Sequence, residues 1–326
     1  MKSRITIDPL NLADESRRLL SVFLSRCYHG QLITKGKTYL VGLQRITFAH
    51  NAVVREKTPG VWRCDVVDDN DCGSGKFGSA YKVLAVLKYS DGSKDNAVIN
   101  LKDKRVYKFQ KNAAILEFRL MERCPHLQAR ELFPGVPSMI SMRKFPGLLL
   151  NDALNNDRKT KPFTHAQRYR ITIALLRALK RQIHDNMICH RDIKPDNIFY
   201  DPVTGEINIF DLGVSQLIYF SYDRRSRGNA TFSSPEDFIS VRTQQPVKIG
   251  EFRAFSAMQS KATVKSDIYS MARVIGLVWR DNDPIFFVKN ADHAKLMLRR
   301  ILSNWMPGFD LFQNLKSVAD EERQGI

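Results

Sequence analysis

Cysteine is scarce in this chain of 326 residues: five occur, Cys27, Cys64, Cys72, Cys124 and Cys189, odd in number and without paired spacing. That excludes a disulfide framework and a cysteine-ligated metal cluster, and a reduced, cytosolic setting is the simplest account. Long apolar runs are also missing, so no membrane-spanning helix is expected. The opening residues, Met1-Lys2-Ser3-Arg4-Ile5-Thr6-Ile7-Asp8-Pro9, contain no apolar core of signal-peptide length. Acidic residues are short as well, 34 against 51 Lys plus Arg, for a net charge of +17. The excess favours anionic partners: nucleotide, phospholipid surface, inositol polyphosphate or nucleic acid. Nucleic acid has no motif behind it, only charge. A hydrophobic content of 43% argues against wholesale disorder, and the length suits one two-lobed domain with an extension.

What is present centres on Cys189-His190-Arg191-Asp192-Ile193-Lys194-Pro195-Asp196-Asn197. Asp211-Leu212-Gly213 follows, after the apolar run Ile207-Asn208-Ile209-Phe210. Asp201-Pro202-Val203-Thr204-Gly205 reads as a turn between short strands, and such a hairpin would bring Asp192, Lys194, Asn197 and Asp211 to one cleft. The set suits phosphoryl transfer. One carboxylate orients the attacking hydroxyl, one carboxylate plus one amide hold metal ions, and the lysine meets the moving phosphoryl group.

At these residues the chain resembles the eukaryotic-type protein kinase superfamily, and other segments extend the likeness from about residue 70 to about 305. Gly73-Ser74-Gly75-Lys76-Phe77-Gly78 has Gly-x-Gly-x-x-Gly spacing, which lets backbone approach phosphates because no Cβ intervenes. Alone the pattern is weak. With Phe77 before the third glycine and strand-like Val83 to Leu87 after it, it looks like the loop that covers the ATP phosphates. Lys108 is the preferred ATP-anchoring lysine, because Val106 lies two residues earlier on the same strand face and would line the adenine. Lys102, with polar Asn100 as its neighbour, is the alternative. A helix from Asn112 to about Cys124 is expected to turn Ile115, Leu116, Leu120 and Met121 to the core. Glu117 or Glu122 would pair with the lysine, and Glu117 resembles the family's helix glutamate. Its spacing of nine residues from Lys108 is short for the family.

The resemblance further implies Met142 as gatekeeper and Phe145 as a hinge residue against adenine. Thr164 reads as the cap of a largely apolar helix running to about Asp185. Asp192 would accept the substrate hydroxyl's hydrogen bond, Lys194 would neutralise charge on the phosphoryl group, and Asn197 with Asp211 would bind Mg²⁺ or Mn²⁺. Lys194, two residues after Asp192, resembles serine/threonine kinases. His190 and Asp196 are read as structural. Leu212 stands where phenylalanine is common. Ser234-Pro235-Glu236 resembles Ala-Pro-Glu, and Asp267 in Ser266-Asp267-Ile268-Tyr269 resembles the helix aspartate that bonds the catalytic-loop backbone. Between Asp211 and Ser234 lie phosphorylatable Ser221, Tyr222, Ser226 and Thr231, for which Arg191 would be the phosphate's partner. Arg224, Arg225 and Arg227 within the segment suggest that an external polyanion, or the substrate's phosphates, would order it instead, and Arg242, Lys248, Arg253, Lys261 and Lys265 farther on read as either a basic patch or a solvated loop.

The expectation is therefore an α+β, bilobal protein-kinase-like fold, with a β-rich small lobe and a mainly helical large lobe. Residues 1–65 would be an extension packed on the small lobe, 66–142 the small lobe and 143–326 the large lobe. Function is read as ATP-dependent phosphotransfer to serine or threonine of protein, autophosphorylation included. The divergent small lobe and basic composition look like the effector kinases that intracellular bacteria deliver into host cytosol, some with a polyanionic activator such as inositol hexakisphosphate. Two other readings stand beside it: the same site acting on a phosphoinositide or small molecule, and a pseudokinase scaffold that binds nucleotide or anions without turnover.

Overall fold

The computed structural model describes residues 4–11, 14–26, 32–58, 61–75, 78–90, 97–100, 104–110, 115–133, 138–219, 231–234, 239–240, 258–259 and 263–279. Phe77, Lys102, Ser221, Tyr222, Arg224, Arg225, Ser226, Arg227, Glu236, Arg242, Lys248, Arg253, Lys261 and the expected helix near residues 294–305 lie outside them. The content is α+β, divided into two compact units, residues 1–118 with 128–144, and 119–127 with 145–326. No helix among the described residues is long and apolar enough to cross a membrane.

The first unit begins with β1 (Arg4–Ile7), α1 (Asp14–Arg26), β2 (Leu32–Ile33), β3 (Thr38–Val41) and β4 (Gln44–Phe48). There follow β5 (Asn51–Thr58), β6 (Val61–Gly75), β7 (Gly78–Ser90), β8 (Ala97–Asn100) and β9 (Arg105–Gln110). After α2 (Ile115–Glu122) come β10 (Arg130–Phe133) and β11 (Ser138–Arg143). Strands β1, β4 and β3 form a small sheet, and a larger one has the order β10-β11-β9-β7-β6-β5-β2, with β8 on β7. The extension and the large sheet share one core. Leu19, Leu20, Phe23 and Leu24 from α1 pack with Ile46 and Phe48 against Ala52, Val54, Cys64, Val66 and Leu87. Phe23 meets Phe48 and Tyr39 at ring-centroid distances of 5.1 and 5.4 Å. Each of the buried Leu, Ile, Val and Phe side chains contributes roughly 1.5–3 kcal/mol, and β6 runs through residue 65 without a break.

Helix α2 turns differently from the expected periodicity. Leu120 and Met121 are buried, but Leu116 is exposed and Phe118 is buried in its stead. The buried stripe is set by Glu117, Phe118, Leu120, Met121 and Cys124, which recur at helical spacing.

The second unit holds β12 (Leu148–Leu149), α3 (Leu150–Lys159), α4 (His165–Ala178), β13 (Ile188–Cys189), β14 (Ile198–Tyr200), β15 (Ile207–Ile209) and β16 (Gln216–Leu217). β17 (Ile239–Ser240), β18 (Met258–Gln259) and α5 (Val264–Val278) complete it. Thr164 caps α4 in a capping box with Gln167, each side chain bonding the other's backbone amide. The helix does not continue unchanged to Asp185: Leu179–Ile183 forms a π turn and His184–Asn186 a 3₁₀ turn. Strands β14 and β15 form the expected hairpin, closed by Asp201, whose carboxylate accepts from Val203 N and Thr204 Oγ1. Gly147 at φ +86 lies so close to Tyr200 that an added Cβ would meet its carbonyl oxygen at 2.2 Å, so only glycine serves there.

Arg168 knits this unit internally. Its guanidinium donates to Asp157 Oδ1 at 2.7 Å and to the carbonyl of Val278, joining α3, α4 and α5. Trp279 Nε1 adds a bond to Thr172 Oγ1 at 2.9 Å.

Candidate active site

In the first unit, β6 and β7 pair up to the tip of their hairpin, with Gly73 opposite Ala80 and Gly75 opposite Gly78. Gly78 is fixed by packing: a Cβ there would stand 1.9 Å from Phe109 O on β9. Gly73 faces open space, with nothing within 4 Å of a built Cβ. The first keeps the loop on the sheet, while the second leaves room for a ligand's close approach.

Lys108 lies beside Ala80 and Ile140 in the registers of β7 and β11. Its Nζ donates to Glu117 Oε1 at 2.6 Å, and Gln110 Nε2 donates to Glu117 Oε2. Both carboxylate oxygens are thus engaged. The alternative, Glu122, is on the surface and pairs with Arg119 at 3.2 Å. Short spacing between Lys108 and Glu117 has a simple origin, since β9 ends at Gln110 and α2 starts at Ile115, putting Glu117 in its first turn. A carboxylate is favoured there by the helix dipole. Met142 pairs directly with Val106. Gln110 escaped the sequence reading, although period-2 alternation puts it on the face of Lys108.

In the second unit the catalytic loop is a closed hydrogen-bond set. Lys194 Nζ donates to Asp192 Oδ2 at 2.7 Å, and Asn197 Nδ2 donates to Asp192 Oδ2 and to Asp192 O, each at 2.9 Å. Asp192 Oδ1 is buried and has no hydrogen-bond partner among the described residues. A buried, unsatisfied carboxylate oxygen costs free energy, so it marks a place where a donor from outside the chain fits. Asn197 spends its amide hydrogens on Asp192, which turns its carbonyl oxygen away as a hard ligand suited to Mg²⁺. Asp211 follows Phe210, whose amide bonds Asn197 O at 3.0 Å, and it adopts φ +66. Arg191, at φ +67, is the other strained residue of the loop.

His190 holds loop and strand together. Its Nδ1 accepts from Asp192 N at 3.3 Å, so Nε2 carries the proton and donates to Phe210 O at 2.9 Å. From beneath, fully buried Asp267 accepts from His190 N at 2.7 Å, Arg191 N at 2.9 Å and His184 Nε2 at 3.2 Å. Burial pushes its carboxyl up, but bonding and charge from His184, charge from His190 and the Arg191 amide pull it below its ordinary value. The Arg191 guanidinium is buried and donates to Gln216 Oε1 at 3.3 Å. Leu212 is buried, and Thr231 is exposed. Phe145 is buried too, its ring stacked on His126 at 6.2 Å and tilted against Phe199 at 5.8 Å; Phe199 meets Phe210 at 5.2 Å.

Two further residues hold the strand that leads to Asp211. Gln182, in the π turn, donates from Nε2 to Ile207 O at 2.7 Å and accepts from Ile209 N at 2.9 Å. His126 Nε2 bonds Ile209 O at 2.8 Å. These side chains complete the edge of β15 that β14 does not reach. No local pattern signals them, because their partners lie 25 to 83 residues away.

Comparison with known proteins gives the same direction. Residues 67–303 match the family described as "Protein kinase domain". A 153-residue stretch is 31% identical to "Putative ribosomal protein S6 kinase alpha-2" of Caenorhabditis elegans, 46% of this chain and 19% of that protein. Another, of 112 residues, is 31% identical to "Serine/threonine-protein kinase 12" of Arabidopsis thaliana, 33% of this chain and 24% of that one. A 67-residue stretch is 40% identical to "Dual specificity mitogen-activated protein kinase kinase dSOR1" of Drosophila melanogaster, 21% and 17% respectively. The chain therefore spans less than a quarter of the length of each of these relatives.

Proposed function

The chain belongs to the protein kinase family, and from that membership we propose that it transfers the γ-phosphoryl group of ATP to serine or threonine hydroxyls of protein. The observation that carries the proposal is Asp192: one oxygen is tied to Lys194 and Asn197, and the other is bare and buried. Oδ1 would accept the hydrogen bond of the attacking hydroxyl and align its lone pair on the phosphorus. As the new O–P bond forms and the bond to the leaving ADP breaks, the hydroxyl proton passes to Asp192. Lys194 lies against the carboxylate and meets the charge on the phosphoryl oxygens. Lys108, braced by Glu117 and Gln110, would grip the nucleotide's phosphates. Asn197 Oδ1 and Asp211 would hold Mg²⁺, which neutralises phosphate charge when bound.

Lys194 supports a serine/threonine rather than tyrosine acceptor, and the Arabidopsis thaliana relative named "Serine/threonine-protein kinase 12" points the same way. The effector reading rests on the net charge of +17 and the short spacing of Lys108 and Glu117.

The test is incorporation of radiolabelled phosphate from Mg-ATP by wild type and Asp192→Ala, using generic protein substrates beside phosphoinositide vesicles. Asp192→Ala should lower transfer about 10²- to 10⁴-fold while melting like wild type. Equal transfer by the two proteins refutes the proposal, and transfer to lipid alone moves the acceptor from protein to phosphoinositide.

A further inference from the structure

The face of the large sheet opposite Lys108 carries guanidinium groups that phosphoryl transfer leaves unused. Alternation along β9 sends Val106 and Lys108 to one face and Arg105 and Tyr107 to the other. Arg143 on β11 stands directly across from Arg105. Arg130 on β10 stands across from Ser141, which itself faces Tyr107. Residues opposed across strands share a face, about 5 Å apart when directly opposite and about 7–8 Å on the diagonal. Arg105, Arg143 and Arg130 therefore rise from a triangle spanning three strands, about 10 Å across. Lys104 and Lys144 join at its border through the bond from Lys144 N to Lys104 O, 3.1 Å.

Arg105 lies half-buried across β11, donating from Nε to Ser141 Oγ at 2.8 Å and from Nη2 to Gln128 O at 3.0 Å. Both acceptors are neutral. Neither Arg105 nor Arg130 has a carboxylate partner among the described residues. Burial, and then the positive charge of Arg130, lower the Arg105 pKa from its ordinary value. The buried carboxylate of this face, Asp65, is saturated by Arg55, Arg63 and Tyr107, the last at 2.7 Å. Glu131, opposite Ile140, alternates to the other face. A half-buried cation such as Arg105, bonded only to neutral acceptors, carries a desolvation cost, and an anion from outside offsets it.

We propose that Arg105, Arg130 and Arg143 form a binding site for a compact polyphosphate, a small ligand bearing several clustered phosphates. Guanidinium forks match phosphate oxygens two at a time, which ammonium groups do not. A triangle of this size takes adjacent phosphates on one small scaffold; a nucleic-acid tract would need a longer basic stripe. Free inositol polyphosphate and the headgroup of a phosphoinositide share this chemistry.

The test uses the full chain in about 0.15 M salt, titrated calorimetrically with inositol hexakisphosphate and sedimented with vesicles containing phosphatidylinositol 4,5-bisphosphate. Saturable binding to either supports the site, and the arm that binds identifies the source. Arg130→Gln with Arg143→Gln should weaken binding by about tenfold or more. The charge-matched control, Lys37→Gln with Arg45→Gln on exposed residues of the extension, should leave it unchanged. Arg105 stays in place because its bonds to Ser141 and Gln128 also hold β11. If the double variant melts low, Arg130→Gln alone is read, since Arg130 is exposed; it should weaken binding about threefold or more. The proposal is overturned by no saturable binding in either arm, by unchanged binding of the arginine variant, or by an equal loss in the control. Equal affinity for phosphatidylserine vesicles or a short oligonucleotide overturns it as well.

Discussion

Replacing Asp267 by asparagine separates the frame of the catalytic loop from its chemistry. The carboxylate is fully buried, with Oδ2 accepting from His190 N and His184 Nε2 and Oδ1 from Arg191 N. An amide of the same shape keeps one acceptor and turns an NH₂ toward a backbone N–H that can only donate. At least one loop amide then loses its partner, which costs about 1–3 kcal/mol. The bonds that survive lose charge assistance, about 1 kcal/mol more. Arg191 at φ +67 is held in an unfavourable region only while its amide is pinned. The sum is about 3 kcal/mol, out of a total near 5–15 kcal/mol for a folded domain. At about 2–4 °C per kcal/mol, the melting temperature should fall by about 6–12 °C. Asp267→Ala orphans both loop amides and should melt lower still. Thermal unfolding followed by circular dichroism decides: a fall below about 2 °C for Asp267→Asn, or an alanine variant no worse than the asparagine one, refutes the reasoning.

The same variant has a pH signature. Because the folded Asp267 carboxyl lies below its ordinary value, its contribution is complete above the unfolded value, about pH 4. It is lost as pH falls from there through the folded value. The gap between wild type and Asp267→Asn should be constant from about pH 5 to 7 and close on acidification below about pH 4. A gap that widens on acidification contradicts that direction.

Other outcomes follow from close contacts. Gly78→Ala should disrupt the pairing of β7 with β9 and weaken nucleotide binding, measured by calorimetry, whereas Gly73→Ala should fold normally because its Cβ meets open space. Equal melting of those two variants contradicts the packing argument. Gln182→Leu keeps the volume but abandons Ile207 O and Ile209 N, and should cost about 2–4 kcal/mol in urea unfolding. Stability within about 0.5 kcal/mol of wild type removes Gln182 from the support of β15.

Legibility followed the range over which each interaction acts. His190 through Asn197, the Asp201–Gly205 turn and the Thr164 cap are short segments whose chemistry needs fixed residue types at fixed spacing, so they read directly. Lys108 could be preferred from alternation alone, but its pairing with Glu117 depended on a helix starting within five residues of β9. Gln182 was invisible, since a π turn inside an ordinary apolar pattern leaves no trace in periodicity and its partners are backbone atoms of a later strand.

The arginine triangle is the extreme case, because its information lies in strand register rather than in any segment. Alternation tells that Arg105 and Tyr107 share a face; it does not say what stands opposite them. A slip of β11 by one residue would set Arg143 beside Lys104 or Val106 and send it to the Lys108 face, dispersing the cluster. What prevents the slip is apolar: Met139, Ile140 and Met142 are buried along β11, with Met139 packed beside Tyr107. The same contacts that set Met142 across from Val106 therefore set Arg143 across from Arg105. A substitution that loosened β11, such as Met139→Asp, should weaken both nucleotide and polyphosphate binding, although Met139 lies on the strand between them and carries no charge of its own.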